Sequence, residues 1–178
     1  MSSRFLSYVL RHHPEAIGLR VDTAGWVAVD ELLAALAAHD RPLTRAELDQ
    51  IVATSDKRRF EVHNGRIRAA QGHSVAVDLG LPALIPPDVL YHGTVVRFLD
   101  SILQHGLVRG RRLFVHLSPD IPTALKVGAR RGQPVILRVD AASAHAAGLL
   151  FHQAANGVWL TPHVPPDFLT TLSIKSAG

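Results

Sequence analysis

Residues 79–88 read LGLPALIPPD, and no single regular element can run through them. Pro82, Pro86 and Pro87 remove backbone donors and fix φ, so neither a helix interior nor a central strand fits. Before this stretch the apolar residues recur with helical spacing. After it, short apolar runs suited to strands dominate. The break predicts two lobes, residues 1–80 and 81–178.

In the first lobe, Ser2 or Ser3 can cap a helix that runs to about His12 and is ended by Pro14. Phe5, Leu6, Val9 and Leu10 form its apolar stripe; Arg4, Ser7 and Arg11 share the other face. Gly25-Trp26-Val27 reads as a short strand, and Asp30 is placed to cap ELLAALAAH. Thr44 and Glu47 have capping-box spacing at the head of TRAELDQIV. RRFEV and RIRA meet at His63-Asn64-Gly65, where Asn-Gly is a strong hairpin signal. Three helices followed by a hairpin is the plan of a winged helix. In the second lobe VLYHG, LFVHLS, PVILRVD and GVWLT read as strands, with helix-like stretches near 95–105 and 120–131. The expected class is α+β with a mainly β second lobe.

No apolar stretch approaches the roughly 18 residues of a membrane span. There is no basic and apolar leader, and Cys is absent, which suits a cytoplasmic protein and excludes disulfide and thiolate chemistry. The histidines lack a short paired spacing, so no metal is expected. Arg outnumbers Lys 16 to 3. Residues 1–80 carry 10 basic and 10 acidic side chains, whereas 81–178 carry 9 and 5, which accounts for the whole net charge of +4. A phosphate site in the first lobe must therefore be a local cluster. Glu occurs only at 15, 31, 47 and 61.

Several short motifs bring chemistry-bearing residues together. Arg11 and His12 end the first helix, where basic groups complement the macrodipole; the same geometry projects a guanidinium and an imidazole from a rigid end. Lys57, Arg58 and Arg59 precede a strand, with Arg59 on the face opposite Phe60. Gln71, His73 and Ser74 of QGHS can each bond a phosphate or a sugar, and Gly72 permits close backbone approach. His92, Gly93 and Thr94 of YHGT stand at a strand end, and His116, Leu117 and Ser118 of VHLS repeat the pattern. Gly128, Arg130 and Arg131 mark a helix stop that can also anchor a nucleotide.

Taken in order, LSYVLRH, DKRRFEV, IRAAQGHS, LYHGT, VHLS, VGARRGQPV and NGVWLTPHVPP resemble the tRNA 2′-phosphotransferase family over nearly the whole chain. Arg4, Ala70, Gly110 and Phe114 depart from the residues usual at their positions. The resemblance implies an RNA-facing winged-helix lobe and an NAD-binding lobe of the ADP-ribosyltransferase type. It implies that an internal RNA 2′-phosphate is transferred to NAD, with no metal, by a monomer acting on a tRNA-like RNA. Residue by residue, it implies catalytic roles for Arg11, His12, Arg59 and Arg130. It implies cofactor contacts for His92, Gly93, Thr94, His116, Leu117, Ser118 and Gly128, and RNA contacts for Lys57, Gln71, His73 and Ser74.

The absence of Glu beyond residue 61 suits such chemistry. A phosphate nucleophile is already an anion and needs no general base. It needs a cage of cations that holds it in line, and a nearby carboxylate would repel it. Two other readings use the same residues differently. An ADP-ribosyltransferase acting on terminal phosphates of RNA or DNA would need the same cage. A winged-helix regulator with a ligand-sensing lobe would need a basic recognition helix, and TRAELDQIVA carries one Arg against one Glu and one Asp. A protein-modifying transferase would want a glutamate, and the second lobe has none.

Overall fold

A computed structural model describes residues 3–55 and 58–172. The chain divides into two compact units, Met1–Leu81 and Pro82–Gly178. Small antiparallel sheets and short helices make up both, so the class is α+β. Among the described residues, no helix is long and apolar enough to cross a membrane.

The first unit holds helices α1 (Ser3–Arg11), α2 (Val29–Ala38) and α3 (Arg45–Ala53). Strands β1 (Val27–Ala28), β2 (Phe60–His63) and β3 (Arg66–Ala69) form an antiparallel sheet in the order β1-β3-β2. Leu6, Val9 and Leu10 of α1 meet Leu32, Leu36, Leu48, Phe60 and Ile67 in one core. The hairpin turn is Asn64-Gly65, both at positive φ (48° and 71°), as a two-residue turn between twisted strands requires. Thr44 and Glu47 make the reciprocal capping box at the start of α3.

Two expectations shift. Ser3 lies inside α1, while Ser2 is outside the described residues. Asp30 is not the cap of α2: Ala28 holds that position, and Asp30 stands in the first turn, where its charge complements the helix dipole. The reason is tertiary. The Val29 N–H donates to the Gly65 carbonyl at 2.9 Å, so the hairpin turn satisfies a donor that a capping side chain would otherwise serve.

In the second unit, β4 (Val89–Val95), β7 (Pro134–Asp140) and β11 (Leu169–Leu172) form a sheet in the order β11-β7-β4. A second sheet has the order β6-β9-β8, from Val115–Leu117, Trp159–Thr161 and His152–Gln153. β5 (Leu107–Val108) pairs with β10 (His163–Val164). Helices α4 (Leu99–His105), α5 (Ile121–Gly128) and α6 (Ala141–Ala146) complete it. The core collects Leu90, Leu117, Leu137, Val139, Phe151 and Trp159. β4 and β6 touch at one point, where Tyr91 and Ser118 exchange backbone hydrogen bonds of 2.9 and 2.7 Å.

α5 lies directly on β4 because two glycines face each other. A Cβ on Gly93 would overlap the Ala124 carbonyl, and one on Gly128 would come within 2.8 Å of the Thr94 carbonyl oxygen. These positions therefore have a packing reason that holds whatever binds beside them. Gly93→Ala is expected to force the helix off the strand, costing about 1–3 kcal/mol or more. In a chain of this size that lowers the melting temperature by about 2–4 °C per kcal/mol. A thermal melt followed by circular dichroism checks it, and an unchanged melting temperature would contradict the close approach.

Candidate functional site

The last carbonyls of a helix have no partner within it. At the end of α1 the Tyr8 carbonyl accepts the His12 and His13 N–H groups at 3.0 and 3.2 Å. The Arg11 carbonyl accepts from Ser74 at 2.9 Å and Val75 at 3.4 Å. The segment leaving β3 thus lies against the helix end, after a turn at Gly72 with φ 88°. The His12 Nδ1 is 2.9 Å from the Ser74 hydroxyl oxygen. Arg11, His12 and Ser74 are thereby brought together, with Ser74 exposed.

His73 goes the other way. It is 1% exposed, and neither ring nitrogen has a hydrogen-bond partner. Burial first, then the charges of Arg11, Arg68 and His12, push its pKa down to about 4, so it is neutral at ordinary pH. It offers no surface to a ligand and underlies the Arg11–His12 pair. Gln71 is half-buried, and its Oε1 has no partner.

Arg68 is tied into the unit's framework. Its Nε and Nη2 donate to the Glu61 Oε2 at 3.1 and 2.9 Å. Its Nη1 donates to the Ala24 and Leu79 carbonyls at 3.2 and 3.3 Å, and the guanidinium covers the Trp26 ring at 4.6 Å. Arg59 is held differently. Its carbonyl accepts the Ala70 N–H at 2.9 Å, and its Nη1 donates to the Ser3 hydroxyl at 3.2 Å. Ser3, Ser7 and Arg11 occupy successive turns of one helix face, about 12 Å from first to last. Arg59 joins that face at its start and Ser74 at its end. The Ser7 hydroxyl between them is buried with no partner. Lys57 lies outside the described residues.

The second unit has its own cluster, built where β4 and β6 meet. The His92 Nδ1 is 3.0 Å from the His116 carbonyl oxygen. A carbonyl only accepts, so Nδ1 carries the proton, and the Nε2 of neutral His92 is an acceptor. Burial first, then Arg131 and Arg112, lower its pKa against the raising effect of that hydrogen bond, which favours the neutral ring. His116 is set the opposite way. The Arg112 Nη1 donates to its Nδ1 at 2.6 Å, so neutral His116 carries its proton on Nε2. Two imidazoles are thus fixed as opposite tautomers.

Burial, then Arg131 and Arg130, lower the Arg112 pKa. Three guanidiniums therefore feel one another, and among the described residues none of the three has a salt bridge to a carboxylate. Arg112 was not singled out in the sequence. The signal available was its position four residues before His116, but only the folded turn shows the contact. Arg130 is exposed in a 3-10 turn, Ala129–Arg131, that follows α5. Thr94, Leu117 and Ser118 are buried, and Ser118 has both backbone groups bonded to Tyr91, so they form the floor of the cluster.

This donor set fits a dinucleotide. His92 Nε2 can accept from a ribose hydroxyl, and the arginines can face a pyrophosphate. The Asn156 amide nitrogen, in the turn that leads into β9, is a buried donor with no partner. Among the described residues, no three His, Asp or Glu side chains are grouped to hold a metal ion.

The family profile described as "RNA 2'-phosphotransferase, Tpt1 / KptA family" matches residues 1–163. The chain is 60% identical over 167 residues to a "Probable RNA 2'-phosphotransferase" of Streptomyces coelicolor, covering 94% of this chain and 92% of that one. A protein of the same name from Agrobacterium fabrum is 54% identical over 178 residues, covering 99% and 96%. One from Nostoc punctiforme is 51% identical over 169 residues, covering 94% and 93%.

The state of His73 has a measurable consequence. Its folded pKa of about 4 lies below the ordinary histidine value of 6.5, so the unfolded chain binds a proton more readily. Its contribution is constant above about pH 6.5, and stability falls as the pH drops from there toward 4, by at most roughly 3 kcal/mol. Urea midpoints of the parent and of His73→Leu, measured from pH 7.5 to 4.5, should diverge on acidification, with the parent losing more. Parallel curves would rule the effect out.

Proposed function

The chain belongs to the RNA 2′-phosphotransferase family, a family of enzymes, and from that membership we propose that it transfers an internal RNA 2′-phosphate to NAD. The first unit acts as a winged-helix RNA-binding lobe and the second as an NAD-binding lobe of the ADP-ribosyltransferase type. The enzyme works as a cytoplasmic monomer on a tRNA-like RNA. The observation that carries the proposal is the pair of oppositely set imidazoles beside three arginines that have no salt bridge to a carboxylate among the described residues. Such a cluster attracts an anionic dinucleotide and leaves no acid to repel a phosphate.

In the first step, a 2′-phosphate oxygen forms a bond to the anomeric carbon of the nicotinamide ribose, and the bond to nicotinamide breaks. In the second, the adjacent ribose hydroxyl attacks the phosphorus, and the RNA 2′-oxygen leaves with a proton. The products are RNA with a 2′-hydroxyl, nicotinamide and ADP-ribose 1″,2″-cyclic phosphate. Arg11 and Arg59 hold the phosphate. His12, oriented by Ser74, delivers the proton to the leaving oxygen. Arg112 and Arg130 offset charge on the phosphorus centre. His92 accepts a hydrogen bond from a ribose hydroxyl. His73 keeps the Arg11–His12 end in place from beneath, while Gln71, Ser74 and Lys57 contact the RNA.

Incubation with NAD and a 2′-phosphorylated oligonucleotide should release nicotinamide, ADP-ribose 1″,2″-cyclic phosphate and RNA bearing a 2′-hydroxyl, with no inorganic phosphate; a 5′-phosphorylated oligonucleotide should not be turned over. A charge-assisted hydrogen bond is worth about 1.5–3 kcal/mol. Arg11→Ala, Arg59→Ala and Arg112→Ala should therefore each lower turnover about ten- to a hundredfold or more. His12→Ala should accumulate ADP-ribosylated RNA. Full activity of all four variants would remove the basis of the reading.

A further inference from the structure

α1 carries an aromatic ladder that the phosphotransfer chemistry does not use. The Arg41 guanidinium covers the Phe5 ring at 4.3 Å. Phe5 and Tyr8 lie with ring centroids 6.4 Å apart and planes 29° apart. Tyr8 and His13 follow at 4.8 Å and 31°. The His13 ring is fixed by a 2.9 Å hydrogen bond between its Nδ1 and the Glu15 carboxylate. Phe5 packs against the core that α1 reaches through Leu6, Val9 and Leu10, whereas Tyr8 and His13 are exposed. Tyr8 is 45% exposed, so a large aromatic surface is kept in water on a helix that already has a buried face.

The place of the ladder gives it a use. The His12 N–H bonds the Tyr8 carbonyl, an i to i−4 contact, so helical geometry extends to His12. Residues four apart share one stripe, and Tyr8 lies about one turn, about 6 Å, before His12. A strand whose 2′-phosphate is held at Arg11 and His12 brings a neighbouring base to this distance. Exposed aromatic rings bind unpaired bases by stacking, whatever the base, because every base has a π face.

We propose that Tyr8 and His13 form a stacking platform for a nucleobase next to the 2′-phosphorylated nucleotide, which rests on the assignment of Arg11 and His12 to that phosphate. The platform selects single-stranded over paired neighbours and reads no sequence, since the ladder presents ring faces and not a donor–acceptor pattern.

The test uses the whole chain and fluorescence anisotropy with two labelled single-stranded RNAs that carry the same internal 2′-phosphate. One has ordinary flanking nucleotides; the other is abasic at both. The parent should bind the ordinary RNA about five- to a hundredfold more tightly. Tyr8→Ala should lose that preference and bind both RNAs as the parent binds the abasic one, while Tyr8→Phe keeps it. A thermal melt checks that each variant folds. Equal binding of both RNAs by the parent, or a preference that survives in folded Tyr8→Ala, overturns the proposal. NAD turnover is read in parallel. An intact base preference without turnover leaves the platform standing and defeats the phosphotransferase reading instead.

Discussion

The carbonyl of Arg11 must find a donor from outside its own helix, and the first unit is arranged around that need. The donors come from Ser74 and Val75, more than sixty residues along the chain. One consequence is positional: the segment that answers the helix end also carries the Ser74 hydroxyl to His12. Another is electrostatic. His73, one residue earlier, is buried close to Arg11 and Arg68 and kept neutral. A backbone hydrogen bond of ordinary strength therefore fixes how Arg11, His12 and Ser74 are grouped.

The second unit solves a related problem with side chains. Burial, and then the charges of Arg131 and Arg130, disfavour the charged state of Arg112. Part of the relief comes from His116, whose Nδ1 accepts from Arg112. That same ring passes its backbone carbonyl to His92. A chain of three residues thus turns an excess of positive charge into two defined proton positions. Arg68 in the first unit is the contrast: with Glu61, two carbonyls and Trp26 around it, four of its five N–H donors are engaged within the unit.

Local features were legible in the sequence where their causes are local. Asn64-Gly65 fixes a turn through its own allowed dihedral angles, and Thr44 with Glu47 closes a box within one helical turn. The grouping of Arg11, His12 and Ser74 was visible only as separate motifs, and their contact depends on how the chain returns. Asp30 was misread as a cap because the true partner of the Val29 N–H lies in the distant hairpin. Arg112 was overlooked for a similar reason. Four residues before His116, in a loop with no regular period, nothing in the spacing reveals which of three nearby arginines meets its ring. His73 was read as a ligand contact beside Ser74, but adjacent residues in an extended segment point to opposite sides.

Each unit closes a hydrophobic interior of its own, one around Leu32 and Ile67, the other around Leu137 and Phe151. Heat or denaturant therefore meets two cooperative blocks in place of one, and a single transition midpoint describes the molecule only when both give way together. A nucleotide that binds one block protects that block alone, and its stabilising effect reaches the other only through whatever coupling joins them.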